Sequence, residues 1–146
     1  MTERDLDIDP RMTYGDLRRY AETLDVTVCS GPLTKGINGV YDEGTGTIVI
    51  DRTLRYTQKR CTLVHELVHW SHGDDTCNGV MGARMERRTR RETATMLVSP
   101  DDYALAETMF DGDVAHIAAE LDVTCQVVKD YRDMVLAPLR DQCAAL

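Results

Sequence analysis

The stretch Arg60-Cys61-Thr62-Leu63-Val64-His65-Glu66-Leu67-Val68-His69-Trp70 leaves this chain few ways to fold. Cys61, Leu63, Val64, Leu67, Val68 and Trp70 make a helix here apolar on most sides, so it belongs at the centre of the molecule. A central helix does not normally hold two histidines and a glutamate unless something satisfies them. His65 and His69 are four apart, about 40° in azimuth and ~6 Å in rise, and project from one face. Two imidazoles so placed can hold one metal ion at the ~2.0–2.1 Å that zinc prefers. Glu66 lies about 60° from His69 around the helix, within reach of a water on that ion, where a general base acts. The spacing His65-Glu66-x-x-His69 is that of helical zinc hydrolases.

With 146 residues the chain suits a single domain with a real core, residues 1–146. Its net charge of −8 disfavours direct nucleic-acid binding, which needs clustered cations. No apolar run approaches the ~20 residues that span a bilayer, so no membrane partner is expected. The acidic segment Met1–Asp9 has no apolar core of a secretory signal and reads, to Pro10, as a mobile tail. Cys29, Cys61, Cys77, Cys125 and Cys143 form no C-x-x-C pair, which points to reduced thiols in a cytoplasmic compartment.

Thr13 or Asp16 can cap a helix whose stripe is Tyr14, Leu17, Tyr20, Ala21 and Leu24. Val26–Cys29 has strand composition, and after a turn-rich region Gly39–Tyr41 and Thr47–Asp51 read as strands around the Asp42–Gly46 turn. The expected architecture is α+β and zincin-like: a small antiparallel sheet, then the central helix over Thr57–Ser71, then a helical C-terminal part. A second long helix, Ala83–Val98, carries Arg84, Arg87, Arg88, Arg90 and Arg91, and a further helix starts at Ser99 or Asp101. These arginines suit a solvated face, or a basic patch for an acidic partner. Residues 111–146 form a C-terminal extension in which Val114–Tyr131 reads as helix, turn, helix. That extension holds seven acids against three bases, so it is expected to pack on the core or dock a protein, and not to read DNA.

Two histidines leave a tetrahedral zinc one protein ligand short, the fourth position being for water. The second helix offers Glu86 and Glu92. With Met85, Thr89, Thr93 and Met96 as its inward face, Glu92 lies near the middle and Glu86 toward a margin. His72 reads as a rim residue, because three ligands from one unbroken helix cannot surround a tetrahedral ion. His116 reads as an ordinary packing or surface histidine and Cys61 as core filling. Cys77 is a weaker ligand candidate, and Asp74 or Asp75 can orient a ligand histidine through its second nitrogen.

Residues Arg60 to His69 resemble the R-x-T-L-A-H-E-L-x-H segment of the ImmA/IrrE family of metallo-endopeptidases, in particular its phage and actinobacterial members. Glu86-Arg87-Arg88-Thr89-Arg90-Arg91-Glu92-Thr93-Ala94-Thr95-Met96-Leu97-Val98-Ser99-Pro100 is similar to that family's E-x-x-A…A-x-x-L-L-x-P helix. Thr89 departs from the usual Ala, and Glu92 stands where an aromatic residue is common. The resemblance implies a gluzincin-like endopeptidase with Zn2+ on His65, His69 and Glu86, and Glu66 as the catalytic base. It also implies a protein substrate, a helix-turn-helix transcriptional repressor that controls phage, mobile-element or stress genes of a bacterial host. The rival expectation is a non-catalytic, metal-stabilised anti-repressor that sequesters the repressor.

Overall fold

The computed structural model describes residues 4–74 and 80–145. The motif helix α2 (Tyr56–His72) is the axis of the molecule, and Leu63, Val64, Leu67 and Val68 on it are fully buried. Before it come α1 (Tyr14–Glu22), β1 (Thr27–Gly31), β2 (Gly39–Asp42) and β3 (Thr47–Asp51). Thr13 and Asp16 both serve in capping α1. The Thr13 hydroxyl accepts from the Asp16 N–H and the Asp16 carboxylate from the Thr13 N–H, each at 3.0 Å.

The three strands form one sheet in the order β1-β3-β2. It is mixed, where an antiparallel sheet was expected: β2 runs antiparallel to β3, but β1 pairs with β3 in parallel, Thr27 opposite Thr47 through Gly31 opposite Asp51. The physical reason lies in β3, whose Ile48 and Ile50 are fully buried. The strand with two such aliphatic side chains takes the centre, and the turn-rich 32–38 connection carries the chain across to its other side. This leaves β2 at an edge, against α2.

After α2 come α3 (Val80–Leu97), α4 (Pro100–Met109), α5 (Val114–Leu121) and α6 (Cys125–Asp130). A π-helical stretch, Tyr131–Leu136, leads into α7 (Ala137–Ala144). Ser99 caps α4, with Pro100 at its first position. The α3 core face is Thr89, Thr93, Ala94 and Leu97, and Met85 and Met96 are only half-buried. The helix-turn-helix-like pair α5 and α6, with Asp122 in the left-handed conformation between them, packs on the rest of the chain. Among the described residues no helix is long and apolar enough to cross a membrane.

Buried Arg60 ties these parts together. Its guanidinium donates to the carbonyls of Pro10, Met12 (2.6 Å) and Asp122 (2.7 Å). The acidic composition that suggests a free tail also conceals contacts from Arg4 onward. The Arg4 N–H bonds the Ser71 carbonyl at 3.0 Å, its guanidinium lies over the Trp70 ring, and Leu6 and Ile8 pack against the core.

Candidate metal centre

Helix α2 presents His65 and His69 on one face, with ring centroids 5.0 Å apart. Helix α3 brings Glu86 to both: one carboxylate oxygen lies 2.7 Å from His65 Nε2 and the other 3.2 Å from His69 Nε2. One ligand atom from each of the three residues falls within 4.8 Å of the other two. Glu92 is elsewhere, 2.7 Å from His72 Nε2, so the two glutamates that the sequence leaves in competition have separate histidine partners.

The end of α2 fixes His69. Gly73 takes a left-handed conformation (φ 63°), its N–H bonds the Trp70 carbonyl at 3.0 Å, and the Asp74 N–H bonds the His69 carbonyl at 3.0 Å. This is the Schellman arrangement, and it folds Asp74 back beneath the helix. There Asp74 Oδ2 lies 2.9 Å from His69 Nδ1, with Thr89 Oγ1 at 3.3 Å. Arg88 in turn donates to the Asp74 carboxylate. With Nδ1 engaged by a carboxylate, Nε2 is the nitrogen left to bind a cation. Two imidazole Nε2 atoms and one carboxylate, two of the three residues half-buried, are a donor set that suits a divalent metal.

Electrostatics follow from this packing. Hydrogen bonds from His65 and His69 hold the Glu86 carboxyl well below the usual carboxylate range. Burial works against the charged form of His69, but its bonds to Glu86 and Asp74 prevail and push it up to about 8. Burial raises Glu66, with the nearby histidines opposing and Glu86 adding to the rise. Glu66 is 8% exposed, and its carboxylate has no hydrogen-bond partner among the described residues. A buried carboxylate without a partner is costly, which marks it as held for chemistry.

A cavity of about 750 Å³ opens over this cluster, between β2 and α2 on one side and α3 and α6 on the other. Two of its residues escape sequence reasoning. Gly39, which reads from Asn38-Gly39 as a turn glycine, begins β2 directly over the motif helix. A Cβ there would sit 2.6 Å from Thr62 Cγ2 and 3.2 Å from Glu66 Cγ. Glycine is needed for this close approach of strand to helix. Arg90, one of the arginine run, is turned into the cavity wall and paired with Asp130 of α6. No local pattern marks either.

The remaining candidates lie outside the cluster. His116 is exposed, paired with Asp113 and stacked on Phe110. Cys61 is buried, and burial pushes its thiol up. Cys77 and Asp75 fall outside the described residues.

The IrrE N-terminal-like domain, a peptidase family, matches residues 21–130. The chain belongs to that family. The match runs from the end of α1 to the end of α6 and so takes in both walls of the cleft. For an IrrE-like chain, family and donor cluster agree on metallopeptidase-type function and on a metal as cofactor. None of the curated proteins compared with the chain matches it.

Proposed function

We propose that the protein is a zinc endopeptidase that cuts a protein partner, a helix-turn-helix repressor of phage, mobile-element or stress genes. The observation that carries this reading is the meeting of His65, His69 and Glu86 beside a buried, unpartnered Glu66. In it, His65, His69 and Glu86 hold zinc. When bound, zinc supplies Lewis acidity, lowering the pKa of a water toward ~7 and polarising a substrate carbonyl.

The chain's own residues do the rest. Glu66 takes the proton of the attacking water and returns it to the leaving amine, a role favoured by a carboxyl raised through burial. Asp74 keeps His69 in the tautomer that frees Nε2. Strand β2 can receive an extended peptide. The Asn38 carbonyl accepts from the Asp51 N–H at 2.8 Å, so by alternation the main-chain groups of Gly39 and Tyr41 point to the free edge.

The test is incubation of the zinc-loaded protein with the repressor encoded beside its gene, with fragments sequenced by mass spectrometry. Cleavage at one site is expected. Glu66→Gln should retain zinc and lose ~10²–10⁴-fold in rate. An uncut repressor held in a stable complex would favour sequestration over cleavage.

A further inference from the structure

Arg90 is the only lysine or arginine among the described residues that line the cleft, in a chain of net charge −8. It stands one helical turn beyond Glu86 on α3, so both side chains leave the same face. Its Nε lies 3.1 Å from Asp130 Oδ2, and its Nη2 donates to Asp130 Oδ1. Asp130 is 5% exposed and also accepts from Gln126 Nε2 at 2.9 Å. The guanidinium is therefore clamped in place from α6.

This fork uses one N–H of Nε and one of Nη2. The Nη1 group has no partner among the described residues, and the Arg90 side chain is 36% exposed in the cavity wall. A tie between two helices would need only the fork. Here a rigid donor remains, aimed from a fixed frame, with its charge already balanced by Asp130.

We propose that Arg90 is a substrate-binding residue whose free guanidinium N–H groups hold a main-chain carbonyl oxygen of the bound peptide beside the scissile bond. The inference rests on the peptidase reading above. A neutral carbonyl fits better than an acidic side chain, because Asp130 balances the cation and Glu86 lies one turn away. One turn rises ~6 Å and an extended peptide advances ~3.3 Å per residue, which puts the gripped carbonyl within two residues of the cut.

The test uses zinc-loaded full-length protein and three probes measured by calorimetry. These are acetohydroxamate, which can hold only the metal, and two hydroxamates extended by two peptide units, one on either side of the chelating group. In Arg90→Met, affinity for one extended probe should fall on the order of ten- to a hundredfold while acetohydroxamate binding and zinc content stay unchanged. Arg90→Lys, which keeps the charge without the fork, should recover only part, and it serves if the Met variant does not fold. Equal loss for all probes, or no loss with a melting temperature lowered as in Asp130→Asn, would overturn the proposal in favour of a helix tie. A terminal carboxylate that tightens binding only when Arg90 is present would overturn the carbonyl assignment. If wild-type protein binds acetohydroxamate but gains nothing from either peptide extension, the peptidase reading itself fails.

Discussion

On the wall built by α2 and β2, Glu66 has no hydrogen-bond partner among the described residues, and the β2 main chain at Gly39 and Tyr41 faces an open edge. On the opposite wall, α3 and α6 spend their charges on one another: Glu86 on two histidines, Arg88 on Asp74, Arg90 on Asp130. The difference separates two duties. Groups that meet a substrate or move a proton must be left under-used, and burial makes that expensive. Groups that hold a ligand in place are paired until they cannot move.

The sharpest way to break this contrast is at its joint. Glu86→Ala should abolish tight zinc binding, measured by chelator competition, whereas Glu92→Ala should leave it intact. Equal losses would mean that α3 has no single ligand position. Next in size is Asp74→Asn. It should weaken zinc affinity about 10–100-fold with the fold retained, because the His69 ring loses its ionic anchor. An unchanged zinc affinity would remove Asp74 from the site.

Gly39→Ala probes the unpaired wall. A methyl 2.6 Å from Thr62 Cγ2 must push strand from helix, at a cost of about 1–3 kcal/mol in unfolding free energy. Turnover should fall with it at constant zinc content, since Glu66 is the other neighbour. A far smaller effect is expected away from both walls, at the α1 cap. The Thr13 N–H and hydroxyl hold the Asp16 carboxyl below its ordinary 3.8. A depressed carboxyl contributes stability above its unfolded pKa and loses it as pH falls through the folded one. Asp16→Ala should therefore melt slightly lower than wild type at pH 7, and the gap should close below pH 3.8.

The place of α2 is legible in the sequence because its apolar residues leave no solvent face, and its polar triplet is legible because fixed helical spacing projects it. The α1 cap is equally local. The mixed sheet is not legible: strand composition at Val26–Cys29 and Thr47–Asp51 does not say which strand takes the centre, and that is decided by the burial of Ile48 and Ile50. Nor does a helical wheel choose between Glu86 and Glu92. Each lies about 60° from Thr89, on opposite sides, so azimuth alone is symmetrical. Position along the helix axis breaks the tie, by setting Glu86 against His65 and His69 and Glu92 against His72. Treating Met85 and Met96 as core obscures it further, since the buried face is Thr89, Thr93, Ala94 and Leu97. Gly39 and Arg90 matter only through neighbours distant in sequence, Glu66 and Asp130.

Arg60 sets a minimum size for the folding unit. Its three acceptors are supplied by Pro10, Met12 and Asp122, so one cation reads the presence of both flanks of the motif. A fragment cut to the family-matched span, 21–130, would keep the Asp122 carbonyl and lose the other two. It would leave a buried guanidinium with most of its donors unmet beneath the helix that bears the histidines. The conserved-looking heart of this protein is thus smaller than the piece of chain able to hold it upright.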